Sequence, residues 1–341
     1  MTRTINILLM GLLVMSLISV FVFSSSVWSK EPEAKREPVE MRLTHALPET
    51  DMRGKAFRFW AEEVNKRTNG AVKITVYPSE SLMKTPEFFK AMLQKSVEIA
   101  HLPSTFISTE VKEIAPLDVP GLINMEKFTK VDQTIRPIIQ KILNKYDIRY
   151  LFPSHEGETI FYLRKKKVIH SPADLKGLRI RAHGYWVGKT ISAWGGTPAF
   201  IPPADVSVAF ERGAVDGGYT GWPFVMAYKL FEQAPYVTWV GYQNMWAFVA
   251  ITGDAWRKLT PEQRKVMEDV GVEAANLNVR LLNETREKFK EIVKQRGGEI
   301  YYLTEKEKIV FESALKPVYA EVANYSGELG KELINALQAV K

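Results

Sequence analysis

The sequence predicts an α/β protein of two domains, and three observations carry that prediction. Apolar strands alternate with amphipathic helices along the chain, the pattern of sheets covered by helices. Residues 174–219 read as strand, helix, strand, helix, strand, and two crossovers in so short a span imply a parallel sheet with helices on its faces. An amino-terminal leader of 29 residues leaves 312 of the 341, enough for two domains that each bury a core.

The leader begins Met-Thr-Arg-Thr, with one positive charge, and continues as an apolar or small run over residues 5–23. Ser24-Ser25-Ser26-Val27-Trp28-Ser29 then offers small residues for cleavage after Ser29, the layout of a signal peptide. The alternative is a retained anchor, because 19 such residues nearly span a bilayer. Residues 30–39, charged and proline-bearing, read as a linker.

Residues 41–46 form the first strand. A helix over about 53–68 follows, with Phe57, Trp60, Ala61 and Val64 on one face and Asn69-Gly70 as its stop. Strand 72–77 ends at Pro78, helix 87–94 comes next, and strand 99–102 runs into Pro103 and Ser104. Strand 149–153 leads into Ser154-His155-Glu156-Gly157-Glu158.

In the central stretch, Leu178 and Ile180 alternate with Arg179 and Arg181, the period of a strand that Gly184 breaks. A helix over 185–194 closes at Gly195-Gly196, strand 198–201 follows, helix 204–212 stops at Gly213, and 215–218 starts a third strand. Ligands of such sheets sit beyond the carboxyl ends of the strands, which is where Arg181 falls.

Beyond it, 222–231 is helical, 236–240 extended, and 246–252 a strand expected to return to the first domain's sheet. Thr260-Pro261-Glu262-Gln263 is a capping box, opening a helix that runs to Gly297-Gly298, roughly 50 Å if unbroken. Thr304-Glu305-Lys306-Glu307 is another, opening the carboxyl-terminal helices. The expected domains are 40–157 with 246–285, and 158–245 with 286–341. The long helix and two crossing strands would form the hinge.

Cysteine is absent, which excludes disulfides, thiolate metal sites and lipid attachment through an amino-terminal cysteine. The formal charge of +7 falls to about +6 without Arg3 and would favour anionic ligands. Nucleic acid is not expected, since basic and aromatic residues do not interleave. No nucleophile elbow, phosphate loop or dinucleotide fingerprint occurs. The carboxylate pairs Glu156 with Glu158 and Asp205 with Glu211 have no spacing that specifies acid–base catalysis. A secreted hydrolase remains the rival class.

The runs D-L-K-G-L-R-I-R, A-W-G-G-T-P and E-R-G-A-V-D-G, with L-T-H-A-L-P and L-D-V-P-G earlier, carry a specific likeness. From about residue 40 onward the chain resembles the extracytoplasmic substrate-binding proteins of TRAP (tripartite ATP-independent periplasmic) transporters, of the dicarboxylate-binding type. The resemblance implies a two-domain periplasmic-binding-protein-like fold, with the ligand cleft between domains and the long helix spanning the hinge. It implies a periplasmic protein that is not an enzyme, that closes on a small organic acid, and that docks on the small and large membrane subunits of a transporter. A monomer without cofactors is expected. Arg181 matches the family's carboxylate-clamping arginine, and a guanidinium suits that task because its planar fork donates two parallel hydrogen bonds.

Candidate ligand-binding residues beside Arg181 follow from position. His45, His101, His155 and His183 fall near predicted strand ends, with Ser104 and Glu158 beside two of those ends. The histidines read as neutral donors lining a cleft, with a metal or metal-chelate site as the alternative. Of Trp186, Tyr219, Trp222, Tyr242 and Trp246, two are expected to touch ligand. Some members of the family carry a further basic residue where this chain has Phe161, and an asparagine where it has Thr220. A ring and a threonine there point to a monocarboxylate with a compact or apolar body.

Overall fold

The computed structural model describes residues 37–242 and 245–340; the expected signal peptide and most of the expected linker lie outside them. Two sheets organise the chain. The first, in the order β2-β1-β3-β10-β4, comprises β1 (Val39–Thr44), β2 (Val72–Tyr77), β3 (Ile99–Pro103), β4 (Ile148–Ser154) and β10 (Ala247–Thr252). The second, β11-β9-β5-β8-β6-β7, comprises β5 (Thr159–Leu163), β6 (Arg179–Ala182), β7 (Thr197–Phe200), β8 (Gly217–Gly221), β9 (Tyr236–Trp239) and β11 (Glu299–Tyr302).

The predicted return of the 246–252 strand holds. β10 inserts between β3 and β4, antiparallel to both. The three strands of the central stretch run parallel to one another, but the sheet as a whole is mixed, because β5 runs antiparallel to β8 and β9. Two larger features lay outside the sequence expectation, beside short helices at Ser104–Ile107 and Gly253–Arg257. Helix α4 (Phe128–Leu143) covers part of the unassigned span between β3 and β4, and β11 adds an edge after the long helix.

The helices follow the sequence signals closely. α1 (Met52–Arg67) is capped by Asp51 and buries Phe57, Trp60 and Val64. α5 (Tyr185–Ala193) and α6 (Val206–Glu211) are the two crossovers of the central stretch, with α2 (Phe88–Leu93) and α3 (Ser104–Ile107) around β3. α7 (Trp222–Ala227) follows β8, and α8 (Gly253–Arg257) follows β10. α9 (Pro261–Gln295) carries the full Thr260–Gln263 capping box, as α10 (Glu305–Ala314) carries that of Thr304 and Glu307. Among the described residues no helix is long and apolar enough to cross a membrane.

Helix α9 ties the two sheets together by packing chemistry. Its amino-terminal half sends Met267, Val270 and Ala274 into the core around Leu43, Trp60 and Ile251 of the first sheet. Its carboxyl-terminal half sends Leu282, Phe289 and Val293 into the core around Ile160, Trp222 and Val237 of the second. Each of these side chains larger than Ala274 contributes about 1.5–3 kcal/mol on burial. The last helices, α11 (Lys316–Tyr325) and α12 (Gly327–Ala339), also reach both sides with α10. Trp194 donates to the Phe311 carbonyl at 3.0 Å, and the Tyr319 hydroxyl to the Pro120 carbonyl at 2.7 Å.

Candidate functional site

Strand β6 places Arg181 one residue before its end. Ile180 is buried in the core, whereas Arg179, on the same face as Arg181, is exposed at the strand's start. Arg181 itself is 1% exposed. Its Nε donates to the Ile201 carbonyl at 3.1 Å, its guanidinium carbon lies 4.9 Å from the centre of the Phe224 ring, and its Nη2 has no hydrogen-bond partner. Arg181 takes part in none of the ion pairs found among the described residues. Burial pulls its pKa below the ordinary arginine value.

The unpaired guanidinium faces a cavity of about 30 Å³, room for about two waters. One wall comes from the first sheet's surroundings: Ala46, Leu47, Arg53, Thr85, His101, Pro103, Phe106 and Glu156. The other comes from the second: Arg181, His183, Pro203, Thr220 and Phe224, with Met245 on a crossing segment. The two sides meet closely here. A Cβ on Gly184 would lie 2.6 Å from the Thr105 carbonyl oxygen, so only glycine lets these segments touch. The Tyr228 hydroxyl crosses the same seam to the Ala46 carbonyl at 2.8 Å.

The first wall carries its own buried arginine, in a different state. Arg53 donates through Nε and Nη2 to both oxygens of Asp51, at 2.8 and 2.7 Å, and through Nη1 to Glu156. The Ser154 hydroxyl adds a 2.9 Å bond to the other Glu156 oxygen, and His101 Nε2 lies 3.4 Å from it. Burial alone would raise the Glu156 carboxyl; the Arg53 charge, His101 and Ser154 outweigh it and hold its pKa at about 2. Glu156 is therefore a buried carboxylate in the cavity wall.

His183 completes the ring of polar groups. Burial, then the Arg181 charge, push its pKa well below the ordinary value, so the ring is neutral. No group of three or more histidine, aspartate or glutamate side chains among the described residues is placed to hold a metal ion.

Residues 43–325 match the model of the bacterial extracellular solute-binding proteins, family 7. The chain belongs to this family. It is thereby a solute-binding protein of TRAP transport, a class that carries solutes and does not transform them; the family is periplasmic. The C4-dicarboxylate-binding periplasmic protein DctP of Rhodobacter capsulatus is 25% identical over 90% of this chain and 92% of its own length. A TRAP periplasmic solute-binding protein from Ralstonia eutropha H16, solved with (S)-2-acetolactate bound, superposes with a TM-score of 0.81 at 24% identity, covering 88% of this chain and 99% of that one. One from Sulfurospirillum deleyianum with bound succinate gives 0.79 at 23%, covering 89% and 99%.

Within this family-7 fold, Arg181, His101, His183 and Thr220 line the cavity. The other ten residues singled out in the sequence lie elsewhere, Tyr242 at a separate open groove and Trp186 against Tyr185 and Tyr325. His45 is buried against Phe57 and accepts from the Leu47 amide at 3.2 Å. Ser104 donates to Asp118 and accepts from the Trp246 amide. His155 packs on Phe128 and accepts from the Gly157 amide; with Glu158 it borders that open groove, where Arg286 pairs with Glu158 at 2.7 Å. Phe161 and Tyr219 face each other across paired strands, ring centres 4.6 Å apart, on the side covered by Trp194 and Phe311. Trp222 donates to Glu158 and stacks near Phe289, and Trp246 donates to the Tyr150 hydroxyl.

Sequence reasoning passed over Arg53, Glu156, Leu47, Phe106 and Phe224 as lining residues. The signal for Arg53 was present: an arginine two residues after an aspartate helix cap has a carboxylate within reach before any tertiary contact forms.

Proposed function

We propose that this family-7 protein captures a compact monocarboxylate in the periplasm by clamping it on Arg181. The observation that carries this reading is a fully buried guanidinium with no carboxylate of its own, facing a cavity. A desolvated charge of that kind is stabilised by an opposite charge brought in from outside. A second ligand carboxylate would need a second free cation, and Arg53 is already matched by Asp51 and Glu156. The acids bound by the related proteins, C4-dicarboxylates, acetolactate and succinate, agree with the carboxylate class.

The rest of the cycle belongs to the same proposal. Cleavage after Ser29 releases a monomer. Two lobes, 40–157 with 246–285 and 158–245 with 286–341, close over the acid about α9 and the two crossing segments. The closed form then delivers it to the small and large membrane subunits. Mass spectrometry of molecules released from the purified, denatured protein is expected to show a monocarboxylic acid. Small-angle scattering is expected to show a smaller radius of gyration when that acid is restored. A tight ligand that leaves the scattering curve unchanged contradicts lobe closure.

A further inference from the structure

We infer that the acid held by Arg181 carries a hydrogen-bond donor, a hydroxyl or N–H group, which lies against Glu156 and sets specificity against acceptor-only analogues. The inference rests on the clamp reading for Arg181 but is carried by different atoms. Glu156 is 2% exposed and shares the cavity with Arg181. Its ion pair with Arg53 keeps it a carboxylate. A carboxylate only accepts, at about four lone-pair positions. Ser154 and Arg53 occupy one position on each oxygen, and His101 Nε2 lies 3.4 Å from the Ser154-bound one, so the open position is on the oxygen that faces Arg53.

Charge points the same way. Arg53 stands between two carboxylates, Asp51 and Glu156, so this buried trio carries one net negative charge. An unprotonated ligand oxygen placed against Glu156 meets a like partial charge and leaves the open acceptor position without a donor, whereas a hydroxyl or N–H satisfies it. The other polar walls do not discriminate. Neutral His183 presents a donor on one nitrogen and an acceptor on the other, and the Thr220 hydroxyl serves either way. His183 lines the same cavity as Arg181 and Glu156, so the cation and the anion share its walls. A ligand spanning them is an acid at one end with a donor close by, such as a 2-hydroxy or 2-amino acid.

Isothermal titration of the full-length secreted protein tests this with matched sets: lactate, pyruvate and alanine; the branched six-carbon 2-hydroxy, 2-oxo and 2-amino acids; mandelate and phenylglyoxylate; and succinate. The best donor-bearing acid is expected to bind at least tenfold tighter than its oxo partner and than succinate. Glu156→Gln, whose amide also donates, is expected to bring the donor-to-oxo ratio within threefold. An oxo acid or succinate binding wild type as tightly as the donor-bearing acids overturns the inference, as does an unchanged ratio in Glu156→Gln or binding of no donor-bearing acid. The wild-type ratios decide alone if the variant fails to fold. Succinate binding that disappears in Arg181→Ala removes the donor inference and keeps the clamp. Equal binding of every acid by Arg181→Ala and wild type removes the clamp.

Discussion

Arg53 and Arg181 stand on opposite walls of one cavity, both about 1% exposed, yet their surroundings have opposite logic. Arg53 is saturated: a bidentate aspartate two residues away and a glutamate 103 residues away raise its pKa, although burial pulls against them. Arg181 has one backbone carbonyl, one aromatic face and an unused Nη2, and burial lowers its pKa. A protein that only needed a stable interior would give both the first arrangement or neither. The contrast teaches that a buried charge without an internal partner marks a binding site better than a buried charge as such. It also says that the two arginines should fail in different experiments.

The largest expected effect is on folding and belongs to Arg53. Arg53→Ala strands Asp51 and Glu156 as buried carboxylates, which is expected to lower stability by about 3–5 kcal/mol in urea unfolding. A loss below about 1 kcal/mol would mean that the pair is not buried as described and would erase the contrast with Arg181.

A smaller effect sharpens the comparison from the acidic side. Asp118 is buried beside Ser104 with no cation, and burial pushes its pKa up to about 7. Below its ordinary pKa near 3.8 the group is protonated in both folded and unfolded chains, so its contribution is intact. As pH rises from about 4 to 7 the unfolded chain ionises first, and stability is lost progressively. Asp118→Asn is expected to remove that decline, worth about 2–4 kcal/mol between pH 4 and pH 7. Thermal unfolding of the two proteins across this window checks it; parallel curves would contradict it.

Local signals with a mechanism read through to the structure. The Thr260 and Thr304 capping boxes, the Gly195 and Gly297 helix stops and the alternation around Arg181 each describe a few neighbouring residues and needed no partner. Helix α4 escaped because Pro137 interrupts it and no side chain caps its start. The site was harder for a different reason. Tyr219 and Thr220 are adjacent on β8 and point to opposite faces, so only the register with Ile160 and Phe161 tells which one meets the cavity. The third strand was expected to start at 215–218, its end was left open, and the parity of these two residues could not be assigned. Likewise, Trp222 and Trp246 are aromatic residues near strand ends that serve the core, which spacing alone does not separate from ligand contact.

The central claim, that Arg181 is buried for a ligand and not for the fold, is tested most directly by Arg181→Met, measured for unfolding with and without the acid recovered from the native protein. Methionine keeps the length and apolar contact on Phe224 while removing the unpaired charge. The ligand-free variant is expected to melt at or above the wild-type temperature, and the stabilisation that the acid gives wild type is expected to vanish. A variant that binds the acid within threefold of wild type, or whose ligand-free form collapses as Arg53→Ala is expected to, would contradict the account.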